Sequence, residues 1–385
     1  MAPWVLPSHE LRLDKRFARC NRFDVADEWH LIRVQRRGFE RWTPLSHQMM
    51  PFSMLEPIQF AVTEELVGKT LLAIMRAAVP GESWSKLRQR LERSQVSVNG
   101  TLCLDEARRL QLNDLVSLHD RPVATPRPSD VEILFIDAHV VVVTKPSGMM
   151  THRRHEEEHW SADKKLQQPS LEEAVAGLIN RRSLDGGQRH RTRHSRMPVL
   201  RVVHRLDRDT SGLLVLARTS EAEDALIGQF RRHTAHRIYW AIVHGHPVAE
   251  TIESNLVRDR GDGRRGSINN PKVGKRAVTH VRPLEDLGEY SLVECQLETG
   301  RTNQIRIHLS ERGHLVCGDI KYRQPFAARM IDDRSGAPRL ALHAAELGFA
   351  HPITGEEVSF RMPFPDDLTE FFNRLRARSQ RERSY

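Results

Sequence analysis

The stretch "VVHRLDRDTSGLLVLA" (residues 202–217) sets two apolar runs, Val202-Val203 and Leu213 to Ala217, on either side of His204, Arg205, Asp207, Arg208 and Asp209. The second run reads as a buried strand over 213–217. An ionised carboxylate left alone in an apolar interior costs on the order of several kcal/mol, so a polar break in such a pattern marks a surface turn or a working site.

Around this stretch the chain alternates strand and helix signals. "VEILFIDAHVVVVTKPSGM" (131–149) gives two β-branched runs about the turn at Asp137 to His139, a hairpin by pattern. Further strands are predicted at 213–217, 237–243, 277–283, 290–298 and 340–349, and helices at 170–181, 221–232, 303–311 and 367–378. Many strands with few interspersed helices predict an α+β domain with a large mixed or antiparallel sheet.

Upstream, "VGKTLLAIMRAAV" (67–79) has helical spacing, "SWSKLRQRLERSQV" (83–96) is a second, basic helix, and "VSVNG" and "NDLVSLHD" alternate like short strands. Asn99-Gly100 is a hairpin signal, both residues tolerating positive φ. "RPVATPRPSD" (121–130), with three prolines, reads as a linker. The expected organisation is an extension over 1–60, a small α+β domain over 61–120, the linker, a main domain over 131–365, and a basic helix and tail over 366–385.

The chain has 385 residues, enough for two or three domains. Its apolar share falls just under the globular range once glycine is added, so it should fold with polar appendages. The net charge of +9 is carried mainly by arginine, which suits bidentate contacts to phosphates. Three basic patches repeat that theme: Arg189 to Arg205, with six arginines, three histidines and no acid; Arg258 to Arg276; and Arg374 to Arg383. Together they predict a nucleic-acid partner.

Cys20, Cys103, Cys295 and Cys317 form no C-x-x-C pair, which argues against a zinc ribbon or a disulfide framework and fits a reducing, cytoplasmic setting. No run approaches the ~20 apolar residues of a membrane span, and the N-terminal residues lack a signal-peptide core.

Three motifs invite other readings. "HEEEH" (155–159) matches the H-E-x-x-H zinc pattern, but its flanks, "THRRHEEEHWSADKK", are charged all round, so a solvated loop or short surface helix is expected. "GKT" (68–70) has no glycine five residues before Gly68 and no strand leading in, which excludes a phosphate loop. Ser211-Gly212 lacks the G-x-S-x-G elbow, so its hydroxyl is read as part of a turn.

Five blocks carry a resemblance: "VVVTKPSGMMTH" (141–152), "HRLDRDTSGLLVLA" (204–217), "HRIYWAIVHG" (236–245), "KRAVTHVRPL" (275–284) and "ETGRTNQIRIHLSERGHLVCGDIKY" (298–322). In content and order they resemble the RluA-type pseudouridine synthases, and the helix-helix-strand region in front resembles an S4 RNA-binding domain. The resemblance implies an α+β pseudouridine synthase fold: a mixed, largely antiparallel sheet with a central cleft, plus the small S4-like domain.

The implied reaction detaches uracil from ribose C1′ and rejoins C1′ to uracil C5, with no cofactor and no metal. A uridine in structured ribosomal or transfer RNA is the implied substrate; no obligatory protein partner is expected.

By family position Asp207 is the catalytic carboxylate, with two roles open to it, attack on C1′ or removal of a sugar proton. Arg306 matches the arginine that pairs with it, Tyr239 the active-site tyrosine beside the base, and Arg205 the group that helps extrude the nucleotide. Ile305 or Ile307 would line the uracil pocket. Lys86, Arg88, Arg90, Arg191, Arg193, Arg265 and Lys275 are the expected RNA-binding cations.

Asp209 is the rival carboxylate, since strand alternation would put it on the same face as Asp207. Arg208 and Asp209 are expected to face solvent, and Thr210 to Gly212 to form the turn that presents Asp207. Asn303 departs from the family, which usually has His there; an amide can donate and accept but cannot titrate near neutrality. The alternative reading is an RNA-binding or assembly factor on a synthase scaffold.

Overall fold

The computed structural model describes residues 57–185, 198–268, 270, 272–325 and 329–384. Most of the expected extension over 1–60, and Arg191 and Arg193, lie outside them.

Residues 57–120 form a small module: strand β1 (Ile58–Ala61), helices α1 (Leu71–Ala78) and α2 (Trp84–Glu92), and strands β2 (Val96–Val98), β3 (Thr101–Leu102) and β4 (Leu115–Leu118) in the order β1-β4-β2-β3. Both helices start where the sequence supplies a hydroxyl: Thr70 accepts from the Ala73 N–H and Ser83 from the Lys86 N–H. Asn99 and Gly100, at φ 53° and 75°, make the tight β2–β3 turn. Because β1 pairs with β4, the expected boundary at residue 60 falls inside a strand of this module.

The large domain contains strands β5 (Glu132–Ile136) and β6 (Val140–Lys145), helices α3 (Ala162–Gln167) and α4 (Leu171–Asp185), strands β7 (Arg201–Val202) and β8 (Ser211–Ala217) and helix α5 (Ser220–Arg232). Then follow β9 (His236–His244), β10 (Glu250–Val257), β11 (Gly266–Ile268), β12 (Lys275–Asp286), β13 (Tyr290–Leu297), helix α6 (Gln304–Glu311), β14 (Leu342–Ala350), β15 (Glu357–Arg361) and helix α7 (Asp366–Glu382). The main path of the 11-stranded sheet runs β11-β10-β12-β13-β9-β14-β8-β6-β5.

The sheet is mixed: among the described strands only β14 and β8 pair in parallel. That junction needs Gly212, whose φ is 121° and where an added Cβ would stand 2.3 Å from the Ala344 carbonyl oxygen. Every residue of β6 and β8 is buried, as the apolar runs Val140 to Val143 and Leu213 to Ala217 require. One face of the sheet packs against α4, α6 and α7, and the other against α5, while β15 extends the sheet beside β14.

Two expectations change here. Helix α7 is not a separate basic tail: Leu368, Phe371 and Leu375 belong to the main core. Two of its arginines are taken up by acids, Arg376 by Glu285 and Arg378 by Glu289 and Glu382, which leaves these two less available to a phosphate. The proline-rich linker is also tied down, its Val123 N–H donating to the Ser94 carbonyl and its Thr125 hydroxyl to that of Gln167. Strands β10 and β11 were not foreseen, because β11 is a three-residue edge strand and β10, paired between it and β12, carries little apolar signal.

Candidate active site

The polar break at 203–210 is a loop between β7 and β8, held from behind by residues 145–151. Thr151 brackets Leu206, its hydroxyl donating to the Leu206 carbonyl (3.0 Å) and accepting from the Leu206 N–H (3.2 Å). The wholly buried Lys145 ammonium donates to the carbonyls of Arg208 and Met149 (2.8 Å each) and Pro146 (3.0 Å). The Ser147 hydroxyl donates to the Asp209 carbonyl at 2.6 Å. Asp207 therefore sits on a backbone fixed on both sides.

His204 is a framework residue: its Nε2 accepts from the Val215 N–H at 3.1 Å and its ring stacks on Phe230 at 4.4 Å. Burial pushes its pKa down to about 3, and Arg237 adds to the shift, so it stays neutral.

Asp207 borders two spaces. One, of about 600 Å³, is lined by Tyr239, Ile305, His204, Phe230, Arg237 and Leu342. The other is an open cleft of about 1130 Å³ between the module and the large domain, with Arg108, Arg154, Arg265, Lys321 and Arg339 among its lining cations. Arg205, exposed, stands at the junction and lines both.

Burial raises the Asp207 carboxyl above the ordinary carboxylate range; Arg306, Arg205 and the Asn303 backbone N–H pull it back down, and Asp209 adds a further rise. Burial likewise raises the Tyr239 phenol, against the pull of Arg237. Lys145 is pushed down to about 7 by burial, against the attraction of Asp209 and Asp207.

Of the residues expected at the site, Asp207, Tyr239, Arg205 and Ile305 come together. Ile307 does not. Two positions along α6 is more than half a turn, which puts Ile307 in a separate cluster with Leu256, Ala277, Leu315 and Tyr322.

Arg306, expected to pair with Asp207, acts on it as a charge and makes its close hydrogen bonds elsewhere. The Arg306 fork engages Asp319, Nε to Oδ2 at 2.6 Å and Nη2 to Oδ1 at 2.7 Å, and reaches Asp207 only as a nearby charge. A planar guanidinium satisfies a planar carboxylate best in this two-bond geometry.

Asn303 connects to Asp207 directly. With its amide nitrogen turned toward Asp207 it donates to Oδ2 (2.9 Å) and Oδ1 (3.3 Å), while its oxygen accepts from the Tyr322 hydroxyl (2.8 Å).

Arg208 and Asp209 do not simply face solvent. Arg208 Nη1 donates to the Leu102 carbonyl, and Asp209 accepts from the Thr101 hydroxyl, so both join the Asp207 loop to the β2–β3 hairpin. Ser211 and Gly212 open β8 rather than form a turn.

The expected RNA-binding cations divide similarly. Arg265 lines the cleft and Lys275 is exposed beside it. Arg90 is bound twice by Glu82, with Nη2 to Oε1 at 2.9 Å and Nε to Oε2 at 3.0 Å, and is half-buried, which withdraws it from phosphates. Arg88 pairs with Glu106 at 2.9 Å and Lys86 lies 3.7 Å from Glu82, both exposed. Asp319, Tyr322 and Lys145 were missed because nothing local in "GDIKY" or "VTKPSG" separates a site residue from a loop or strand residue.

Residues 155–157 of "HEEEH" form a short 3₁₀ turn rather than an α-helix, so the geometry that would pair its histidines on one helical face is missing. Among the described residues one group, His244, Cys317 and Asp333, has metal-ligand chemistry. The Asp333 carboxylate there is already taken up by the His244 ring and the N–H groups of Gly318 and Ser335. No helix among the described residues is long and apolar enough to cross a membrane.

The family model described as RNA pseudouridylate synthase matches residues 139–311. A ribosomal large subunit pseudouridine synthase D of Zymomonas mobilis is 36% identical over 325 residues, covering 82% of this chain and 97% of that protein. An uncharacterized RNA pseudouridine synthase of Bacillus subtilis is 35% identical over 84% of this chain and 99% of its own length. A ribosomal large subunit pseudouridine synthase D of Neisseria meningitidis is 34% identical over 83% of this chain and 82% of its own.

Proposed function

This chain belongs to the RNA pseudouridylate synthase family, an enzyme that isomerises uridine to pseudouridine in RNA, and we propose that its target is a uridine of ribosomal RNA. The observation that carries the site assignment is that Asp207 and Tyr239 share one cavity, which Asp207 and Arg205 connect to a cleft rich in cations.

In this reading the RNA lies along the cleft with its phosphates on Arg265, Lys275 and neighbouring cations, and the module of residues 57–120 forms one wall and holds part of the RNA. The target nucleotide leaves its stack and enters the smaller cavity, with Arg205 filling the gap it leaves.

There the C1′–N1 bond breaks and uracil departs with the bonding electrons. Asp207 meets the positive charge that develops on the sugar, as carboxylates do in glycoside cleavage. Uracil turns between Ile305 and Tyr239, C1′ bonds to C5, the C5 proton is removed, and N1 ends protonated, so no atom is gained or lost. Burial keeps Tyr239 a neutral phenol, which suits a hydroxyl that relays the C5 proton rather than a standing phenolate.

The test is tritium release from ribosomal RNA labelled at uracil C5. The wild-type chain should release tritium; Asp207→Asn should abolish release while binding the same RNA within about two-fold. Release retained in Asp207→Asn would remove Asp207 from the reaction. Binding without release by the wild-type chain would favour an assembly factor.

A further inference from the structure

Asn303 occupies the N-cap of α6, yet its side chain makes no capping hydrogen bond to the helix. The amide is engaged elsewhere, between the Asp207 carboxylate and the Tyr322 hydroxyl. We propose that Asn303 and Tyr322 form a positioning pair for Asp207: the hydroxyl fixes which end of the amide faces the carboxylate, and the amide nitrogen holds that carboxylate at the cavity. The proposal rests on the reading of Asp207 as the reacting carboxylate.

The two ends of an amide are not equivalent. With its oxygen toward Asp207, acceptor would face acceptor; with its nitrogen there, both contacts are satisfied. A phenol hydroxyl can donate, and its donation to the Asn303 oxygen locks that orientation. Tyr322 cannot easily swing away. It is 1% exposed, packs with Leu256, Ala277, Ile307 and Leu315, lies 5.1 Å below the Arg306 guanidinium, and its carbonyl accepts from the Ser310 hydroxyl.

The backbone of Asn303 is in the left-handed region at φ 59°, a conformation Asn tolerates better than most residues. In that conformation its own N–H also reaches Asp207, so one residue supplies a backbone and a side-chain donor to the same carboxylate.

An amide adds no proton equilibrium of its own. The ionisable groups acting on Asp207 are Arg205 and Asp209 on its loop, Arg306 on α6, Lys145 on β6, Tyr239 on β9, and Lys321 and Tyr322 after α6.

The test is steady-state kinetics of the full chain on C5-tritiated RNA. Asn303→Ala should lower kcat roughly ten- to a hundred-fold with little change in KM, and Tyr322→Phe roughly three- to ten-fold. Because Tyr322 acts through Asn303, the double variant should be no slower than Asn303→Ala alone. Asn303→His, which keeps an N–H donor and tolerates the left-handed backbone, should recover part of the loss and add the ionisation of an imidazole to those already present in the pH profile.

Unchanged kcat in Asn303→Ala, additive losses in the double variant, or a change confined to KM would overturn the proposal. If Asn303→Ala does not fold, Tyr322→Phe and Asn303→His decide it. Activity retained in Asp207→Asn would remove the underlying reading; Asp207→Asn inactive with Asn303→Ala and Tyr322→Phe at full kcat would remove only the positioning pair.

Discussion

Arg306 gives its guanidinium fork to Asp319, at 2.6 and 2.7 Å, and leaves Asp207 to be held by Asn303. The strongest ion pair of the site thus lies one layer behind the carboxylate that faces the cavity. Asp319 also accepts from the N–H groups of Lys321 and Tyr322, so the same carboxylate sets the turn that carries Tyr322.

Asp319→Ala should therefore act on stability and on chemistry together. It leaves a buried guanidinium without its partner, which should destabilise the fold by about 3–5 kcal/mol in urea denaturation. In whatever protein remains folded, Arg306 is free to turn to Asp207, and the acid limb of the pH–rate profile should move to lower pH.

Wild-type activity should fall on the acid side at a pH above the ordinary carboxylate value near 3.9, because burial raises the Asp207 carboxyl. The same shift makes ionised Asp207 a liability to folding. A raised folded-state pKa gives stability that is present below the unfolded value and lost as pH rises through the folded one. Asp207→Asn should thus be more stable than wild type at pH 7, an advantage that shrinks on acidification; equal denaturation midpoints at pH 7 would contradict it.

His204 works in the opposite sense. Its folded pKa of about 3 lies below the unfolded value near 6.5, so its contribution is full above 6.5 and is lost as pH falls toward 3. Stability should decline across that window with a slope of up to about 1.4 kcal/mol per pH unit from this one group. His204→Gln, which retains an acceptor for the Val215 N–H, should flatten the slope in denaturation series at pH 4 to 7.

The cations separate by what already holds them. Arg265→Ala and Lys275→Ala should each weaken RNA binding and lower the slope of log K against log salt by about 1. Arg90→Ala should leave that slope unchanged and instead loosen the module by about 1 kcal/mol, since Glu82 already engages it. Filter binding from 50 to 300 mM salt distinguishes the two outcomes.

Thr101→Val and Arg208→Met cut the contacts between the β2–β3 hairpin and the Asp207 loop. Amide exchange at residues 98–102 and 206–209 should rise in both variants. If the module helps hold RNA, kcat/KM should drop roughly ten-fold, mainly through KM; exchange confined to the hairpin would show that the loop does not depend on the module.

The chain itself determined the elements with strong local signals. The β-branched run that follows the turn at 137–139 and the apolar run at 213–217 read as strands, 67–79 and 83–96 read as helices, and Asn99-Gly100 marked a turn. The polar interruption at 203–210 stood out against that pattern, and the resemblance pointed to Asp207 and Arg205 within it and to Tyr239, which the fold brings to the border of one cavity.

What the sequence could not supply was partnership across distance. That Asp319 takes the Arg306 fork, that Asn303 faces Asp207, that Ile307 turns away and that Arg90, Arg376 and Arg378 are already paired are facts of packing. Propensity and periodicity act over a turn of helix or a pair of strands. Which charge meets which is decided only when residues far apart in the chain are brought within hydrogen-bonding distance, and here that selection separates the carboxylate that faces the cavity from the one committed to an ion pair.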